Sequence, residues 1–309
     1  MFFKKIIKKE VLTIDLVADE WLEVNKNTYK ISTHQAYSRI IYKHLFNSCI
    51  ASKQIQRLDQ IDISNFTSKL IEDNLSERTV NDILTVLNSI LKYSNKYYGT
   101  KLIPISFIRV GKKEMRVLSI NEQKKLEQIL KDDIDVYKFA ILLALYTGMR
   151  IGEICALQWK DISDNSISIY KTMHRLYDAN GNSKIFIDSP KTANSIRIIP
   201  YPIVLNSYIE NFRGNEDEFV LSTFKLKIIE PRLLQLKFKK IVESCDFDDV
   251  TFHTLRHTFA TRCIECGFDV KSLSEILGHS DVKTTLNKYV HSSMELKRSN
   301  MEKLSQIAI

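Results

Sequence analysis

One segment in the middle of the chain constrains the fold more than any other. Residues 137–148, YKFAILLALYTG, are apolar on nearly every side of a helix. A helix of this kind has no face suited to water, so the pattern predicts a core helix enclosed by other elements. The segment TGMRIGE overlaps the end of this helix and contains Arg150 and Glu153. We therefore expect these two residues to follow directly from the core of the domain.

Length and apolar periodicity predict two domains. The 309 residues exceed a single core, since most cores stop growing at roughly 250 residues. Four amphipathic helical patterns and no strand pattern occupy the first hundred residues, beginning near Thr13, Ser32, Ser64 and Ser76. We expect a helical domain at residues 1–103, a linker at 104–116 where Pro104 and Gly111 interrupt the helical periodicity, and a second domain at 117–309.

The second domain is predicted to be mainly helical with one small antiparallel sheet. Ser119-Ile-Asn-Glu122 forms a capping box that begins its first helix. Three β-rich runs follow, at 166–176, 184–188 and 196–199, joined by turns at Asn180-Gly181 and at Pro190-Lys191-Thr192. From residue 204 onward the pattern is helical, which makes the fold class mainly α.

Composition excludes several classes of protein. The hydrophobic content of 44% is that of a globular protein. No run of about 18 uncharged apolar residues is present, so we expect no membrane span. The start, MFFKKIIKKE, lacks the apolar core of a signal peptide, so we expect a cytoplasmic protein.

The five cysteines do not form a disulfide framework in a chain of this length without a signal peptide. Cys263 and Cys266 make a CxxC pair, the spacing of half a zinc site or of a redox pair. No second CxxC lies close to it in the sequence. Small buried residues are the favoured interpretation over metal or redox chemistry, and we expect no cofactor.

The positive charge is concentrated toward the N-terminus. The net charge of the chain is +8, and residues 1–112 carry 17 Lys and Arg residues against 11 Asp and Glu residues. This distribution is typical of a nucleic-acid-binding module, although many soluble proteins also have a basic surface. Lys112 and Lys113 in the linker either keep a flexible segment solvated or follow a phosphate backbone, and the sequence does not separate these two readings.

A cluster suited to phosphoryl transfer lies between Thr251 and His291. His253 and Arg256 are three residues apart, which places them on one face of a helix. A Leu-Gly-His-Ser run at 277–280 follows, and Tyr289 comes ten residues after His279. Transfer of a phosphoryl group needs a nucleophile, cationic groups on the phosphate and a proton for the leaving oxygen.

Five segments together resemble the tyrosine recombinase family, also called phage integrases. They are TGMRIGE, SPKT, HTLRHTFAT, LGHS and TTLNKY, and they follow one another in the family's order along nearly the whole chain. Their context is most similar to integrases of Gram-positive mobile elements and prophages. The resemblance implies an N-terminal four-helix core-binding (SAM-like) domain, followed by a tyrosine recombinase catalytic domain that ends in a C-terminal tail helix.

The resemblance also implies a catalytic set, which consists of Arg150, Lys191, His253, Arg256, His279 and Tyr289. Tyr289 would be the nucleophile and would form a 3′-phosphotyrosine that keeps the bond energy for rejoining, without a metal ion or ATP. Arg150 and Arg256 would bind the non-bridging oxygens, because a guanidinium matches the geometry of a phosphate. Glu153, one helical turn from Arg150, would orient that arginine.

The remaining members of the set would handle protons. Lys191 resembles the family's general acid to the leaving 5′ oxygen, His253 the proton acceptor from tyrosine, and His279 a further hydrogen-bond donor to the phosphate. Four other histidines are interpreted as structural: His34, His44, His174 and His257. His291, two residues beyond the nucleophile, stays open.

The implied function is site-specific DNA recombination that integrates or excises a mobile element. The expected partners are double-stranded recombination sites and a homotetramer on synapsed DNA, with room for a directionality factor or a host DNA-bending factor. A host-type recombinase that resolves chromosome dimers is the alternative, which the lack of residues for an arm-binding domain favours. A DNA-binding protein without catalysis is the second alternative. The tail beyond Tyr289 would dock on a neighbouring protomer or on its own domain.

Overall fold

A computed structural model describes residues 12–111, 115–163, 165–177, 183–189, 193–225, 227–289 and 301–302. The chain divides into two compact units, one of Met1–Lys113 with Tyr177–Gly181 and one of Glu114–Leu176 with Asn182–Ile309. Across the described ranges, no helix has both the length and the apolar character needed to cross a membrane. The described residues are mostly helical with short strands, so the predicted fold class is confirmed.

The described part of the first unit contains the four predicted helices. They are α1 (Ile14–Val24), α2 (Ile31–Ile40), α3 (Gln60–Glu72) and α4 (Glu77–Tyr98), and a π-helical turn at Ile41–Leu45 continues α2. The third helix begins four residues before the predicted Ser64, because Asp59 caps it and exchanges hydrogen bonds with Asp62. Asn81 on α4 bonds both the N–H and the carbonyl of Ile108, so the first part of the predicted linker packs with this unit.

Eight helices are described in the second unit. They are α5 (Ile120–Lys131), α6 (Val136–Thr147), α7 (Ile151–Ala156), α8 (Asn206–Phe212), α9 (Pro231–Ser244), α10 (Phe252–Glu265), α11 (Val270–Leu277) and α12 (Val282–Tyr289). Every residue of α6 from Phe139 to Leu145 is buried, as its all-round apolar pattern predicts. The capping box of Ser119 and Glu122 begins α5, as predicted.

Five short strands are described between α7 and α8, and they form two sheets rather than the one predicted. They are β1 (Ile162–Ser163), β2 (Ser166–Ile169), β3 (Thr172–Tyr177), β4 (Ser183–Asp188) and β5 (Arg197–Pro200). Strands β1, β2 and β5 form an antiparallel sheet in the order β1-β2-β5, with Ile167 opposite Ile199, while β3 and β4 form a second sheet.

The prediction of one sheet was wrong because the run 166–176 is two strands. Tyr170 and Lys171 separate them, and both side chains bond the buried carboxylate of Asp161, at 2.6 and 2.9 Å. The chain leaves the first sheet at these residues, and β5 pairs with β2 instead of with the hairpin. The predicted turns at Asn180-Gly181 and Pro190-Lys191-Thr192 lie outside the described residues.

Candidate active site

The carboxyl end of α6 begins the site. Gly148 ends this helix with a left-handed backbone, φ +64°, and its carbonyl accepts a hydrogen bond of 2.7 Å from Arg256 on α10. A Cβ atom at Gly148 would lie 2.4 Å from a ring carbon of Phe259, so both the backbone angle and the packing require glycine. Arg150 follows as the N-cap of α7.

Arg256 lies at the centre of three segments. Its residue is 2% exposed, and its guanidinium donates to the carbonyls of Gly148 and Leu277 and contacts Nε2 of His279 at 3.1 Å. Burial, and next the positive charge of Arg150, lower the pKa of Arg256 to about 9. The side chain therefore stays charged at neutral pH and joins the ends of α6 and α11 to α10.

Glu153 joins two arginines below the site. This residue is 3% exposed, and its carboxylate accepts hydrogen bonds from Nη1 of Arg150 at 2.8 Å and from Nη2 of Arg197 at 2.9 Å. Burial raises the pKa of the carboxyl, but the bonds to Arg197 and the charge of Arg150 outweigh it, and the pKa is lowered. Glu153 is thus ionised and holds Arg150 in place.

Sequence reasoning did not single out Arg197. Its side chain, 6% exposed, binds Glu153 through two nitrogens, and its Nε donates to the carbonyl of Ile276 at 2.6 Å. The available signal was the strand's alternation, because Arg197 shares a face with buried Ile199 while Ile198 points to solvent. A charged residue on the inward face of a strand needs a buried partner, and the sequence gives no sign of which one.

Two histidines of α10 lie close to Tyr289 of α12. His253 and His257 occupy consecutive turns of α10, with ring centroids 4.5 Å apart in an edge-to-face arrangement. Nδ1 of His257 lies 2.8 Å from the hydroxyl oxygen of Tyr289. Sequence reasoning set His257 aside as structural, although its position four residues after His253 was a usable signal.

Tyr289 is buried at the end of α12. The residue is 6% exposed and packs in an apolar cluster with Ala260, Cys263, Leu273 and Leu277. Burial raises the pKa of its hydroxyl, and the positive charges of Arg256 and Arg150 act in the opposite direction without cancelling the rise. The nucleophile that the sequence predicts is therefore a protonated phenol at neutral pH, so it needs a base in order to attack.

His279 lies next to both Arg256 and Tyr289. Its Nδ1 is 2.7 Å from the hydroxyl oxygen of the buried Thr285, and its Nε2 contacts Arg256. Its ring is nearly parallel to that of Tyr289, with centroids 6.5 Å apart. Because Thr285 and Tyr289 both belong to α12, docking of this one helix positions His279 and Tyr289 together.

An open cleft gives access to the arginines. Its volume is about 470 Å³, and its lining includes Arg150, Arg256 and His253 together with Gln235 of α9 and Thr172 of β3. Two guanidinium groups and a histidine suit a phosphodiester, because a guanidinium bonds two phosphate oxygens at once. Lys191, the remaining member of the predicted set, lies outside the described residues.

The CxxC pair is divided between the core and the surface. Cys263 is buried beside Tyr289, whereas Cys266 is exposed at the end of α10, so the expectation of two buried residues holds for the first only. Within the described ranges, no three His, Cys, Asp or Glu residues are grouped so that they could hold a metal ion.

Comparison with known proteins gives one family and a closely similar fold. Residues 116–295 match the model of the phage integrase family. A XerC-like tyrosine recombinase of Caldanaerobacter subterraneus is 28% identical over 96% of this chain and 84% of its own length. The integrase of Staphylococcus phage L54a is 27% identical over 96% and 94% of the two chains. The solved structure of the Tn1549 transposon integrase, in complex with a circular intermediate DNA, has a TM-score of 0.81 at 21% identity and covers 94% of this chain and 99% of that one.

Proposed function

The chain belongs to the phage integrase family and is a site-specific tyrosine recombinase, and we propose that it cleaves and rejoins DNA through a 3′-phosphotyrosine at Tyr289. A DNA strand transferase of this kind exchanges one phosphodiester for another. We propose further that it acts in the cytoplasm on the recombination sites of a mobile element or prophage. The relation to a phage integrase supports this assignment.

One observation carries the proposal. Arg150 and Arg256 line the same cleft, and His279, which contacts Arg256 at 3.1 Å, lies against the ring of the buried Tyr289 with ring centroids 6.5 Å apart. Two fixed cations beside a tyrosine are what an in-line attack on a phosphodiester requires, because the transition state spreads negative charge over the phosphoryl oxygens. Removal of one such donor typically slows a reaction by about a hundred- to a thousand-fold.

Each step of the reaction then has a proposed group. The phenolic oxygen of Tyr289 bonds to phosphorus while the bond from phosphorus to the 5′ oxygen breaks. The tyrosine gives up its proton toward His253, and the leaving 5′ oxygen receives one from Lys191. His279 adds a hydrogen bond to the phosphate, and Glu153 keeps Arg150 oriented. Rejoining reverses each transfer, so the bond energy remains in the phosphotyrosine and no ATP is consumed.

The proposed assembly is a homotetramer that brings two DNA sites together, with alternating active subunits. The tail beyond Tyr289 would dock on a neighbouring protomer. A directionality factor or a host DNA-bending factor would complete the partners. Deletion of residues 292–309 should therefore abolish tetramer formation on DNA, and tetramers of normal stability after that deletion would contradict docking between protomers.

A host-type recombinase that resolves chromosome dimers is the second candidate function. The XerC-like relative, 28% identical to this chain, favours it. The genomic setting separates the two candidates, because an element's integrase is encoded next to its attachment site. Excision of a DNA circle that contains the gene would assign the mobile-element role, and a chromosomal substrate without such a circle would assign the host role.

The decisive experiment is covalent trapping. The protein is incubated without added metal with a nicked suicide substrate made from the DNA that flanks its gene, and the adduct is separated on a denaturing gel. Tyr289→Phe should abolish the adduct and leave DNA binding intact. Tyr146→Phe, which removes the hydroxyl of another partly buried tyrosine bonded to Glu127, is the matched control and should leave the adduct. An adduct that persists in Tyr289→Phe would assign the nucleophile to another residue.

A further inference from the structure

The hydroxyl of Tyr289 has a defined partner in a residue outside the predicted catalytic set. Nδ1 of His257 lies 2.8 Å from it, which is the length of a good hydrogen bond. When the neutral imidazole carries its proton on Nε2, Nδ1 is an acceptor and the tyrosine is the donor. The phenol is then aligned to pass its proton to His257.

The position of His257 on α10 connects this contact to the cleft. His253, four residues earlier, lines the cleft together with Arg256, and the edge of one histidine ring faces the plane of the other at 4.5 Å. His257 therefore lies between the nucleophile and the residue to which the resemblance gives the tyrosine proton. The i, i+4 spacing on one rigid helix fixes this order.

We propose that His257 is the base that receives the proton of Tyr289 during strand cleavage and returns it during rejoining. In cleavage the bond from the phenolic oxygen to phosphorus forms, the bond from phosphorus to the 5′ oxygen breaks, and the phenolic proton moves to Nδ1. The leaving oxygen is protonated by the general acid, so charge and atoms balance. The proton thus reaches His257 first, and His253, one turn earlier on α10, is the next histidine toward the cleft. This inference rests on the proposed recombinase activity.

The surroundings of the pair make a base necessary. Burial raises the pKa of Tyr289, so the phenol is protonated at neutral pH. The charged and titratable groups around the pair are His253 and Arg256 on α10, Arg150 before α7 and His279 after α11. The two arginines favour the tyrosinate once it forms but cannot take its proton, which leaves the adjacent imidazole to do so.

Two substitutions separate proton acceptance from positioning. His257→Asn keeps a hydrogen-bonding atom near the place of Nδ1 but cannot accept a proton, and His257→Phe keeps the ring shape only. Single-turnover adduct formation on the suicide substrate should fall by about a hundredfold or more in both variants at neutral pH. The deficit should shrink as the pH is raised, because hydroxide then replaces the base. Equal rates for wild type and His257→Asn would overturn the proposal.

The leaving group provides an independent test. A substrate with sulfur in place of the bridging 5′ oxygen needs no general acid, since a thiolate leaves without a proton. His257→Asn should stay slow on this substrate, because its defect lies on the side of the nucleophile. Full rescue by sulfur would place His257 at the leaving group, and a deficit that is constant with pH would make its role structural. Either result refutes the assignment.

Adduct formation by the wild-type protein distinguishes a failure of this inference from a failure of the proposed function. If the wild-type protein forms no adduct that depends on Tyr289, the recombinase assignment itself fails. If the wild type forms the adduct and His257→Asn forms it equally fast, only the role of His257 fails. Thermal unfolding and DNA binding verify that the variant is folded, and His257→Gln carries the same test if His257→Asn does not fold.

Discussion

Arg197 and Glu153 form a two-point ion pair beneath the candidate active site, with nitrogen-to-oxygen distances of 2.9 and 3.1 Å. Both side chains are almost fully buried. Because the same carboxylate also binds Arg150, the position of a predicted catalytic arginine depends on a strand residue 47 positions away in the sequence. The pair thus connects β5 with α7.

Arg197→Met should destabilise the protein and slow DNA cleavage. Removal of one partner from a buried ion pair costs about 3–5 kcal/mol, and the remaining bond to Arg150 places the expected loss near the lower end. The thermal midpoint should fall by several degrees, and the rate of adduct formation should fall with it, because Arg150 loses its fixed carboxylate. Lys160→Met is the control, since it breaks an exposed pair with Asp217 and should leave both measurements unchanged. Equal effects of the two substitutions would contradict this account.

Thr285→Val should slow cleavage while leaving the fold intact. Valine has nearly the shape of threonine but removes the hydroxyl that lies 2.7 Å from Nδ1 of His279. A hydrogen bond of this kind is worth about 1 kcal/mol, or roughly fivefold in rate, and more if the buried nitrogen is left unpaired. Thr284→Val, one residue earlier on the same helix, is the control for the rate of adduct formation. An unchanged rate in Thr285→Val would show that His279 does not need this partner.

Gly148→Ala should be far more harmful than Gly99→Ala. Both glycines end a helix with φ +64°, so alanine at either position meets the same backbone strain, about 1–2 kcal/mol. A Cβ atom at Gly148 would clash with Phe259, whereas one at Gly99 would meet nothing within 4 Å. The clash moves the carbonyl that Arg256 binds, so Gly148→Ala should also reduce adduct formation. The comparison of thermal midpoints isolates packing from backbone strain, and similar losses at both sites would exclude the clash as a cause.

Glu122→Gln should remove part of the acid sensitivity of the second unit. The hydrogen bond from Arg116 lowers the pKa of Glu122 to about 2, from an ordinary value of 4.5. The ionised form is therefore favoured in the folded state. Its contribution is complete above about pH 4.5 and is lost as the pH falls toward about 2. Glutamine retains the cap on Ser119 without the charge.

The measurement for Glu122 is the thermal midpoint of both proteins between pH 3 and pH 7. The wild type should be the more stable near neutral pH, and the difference should shrink as the pH falls below about 4.5. A difference that is constant across the range would show that Arg116 does not favour the ionised carboxylate.

Local patterns were enough to predict the helices and their order. The all-round apolar run of α6, the capping box of α5 and the four amphipathic helices of the first unit are confirmed, because each follows from residues a few positions apart. The pairing of β5 with β2 was not predicted, since it depends on contacts between distant residues. Arg197 was missed for the same reason, because its partners lie on α7 and at the end of α11.

The histidines of the candidate site illustrate the same limit. His253 could be selected from the segment HTLRHTFAT, but His257 in that segment was set aside. Its contact with Tyr289 depends on how α12 returns to α10, and no spacing within one segment contains that information. The positions of Arg150, Arg256, His279 and Tyr289 around one site likewise depend on the fold, while their expected roles follow from the resemblance to the family.

Gly278 has a second reason to be glycine besides its left-handed backbone. A Cβ atom there would lie 3.0 Å from Nη1 of Arg197, the nitrogen that also binds Glu153. The glycine of the Leu-Gly-His segment and the arginine of β5 therefore limit each other's evolution. A larger residue at position 278 is tolerated only if the guanidinium of Arg197 moves away. That movement breaks the ion pair of Arg197 with Glu153, the carboxylate that also binds Arg150. Substitutions at positions 153, 197 and 278 should consequently occur together among related proteins, although no two of these positions are adjacent in the sequence.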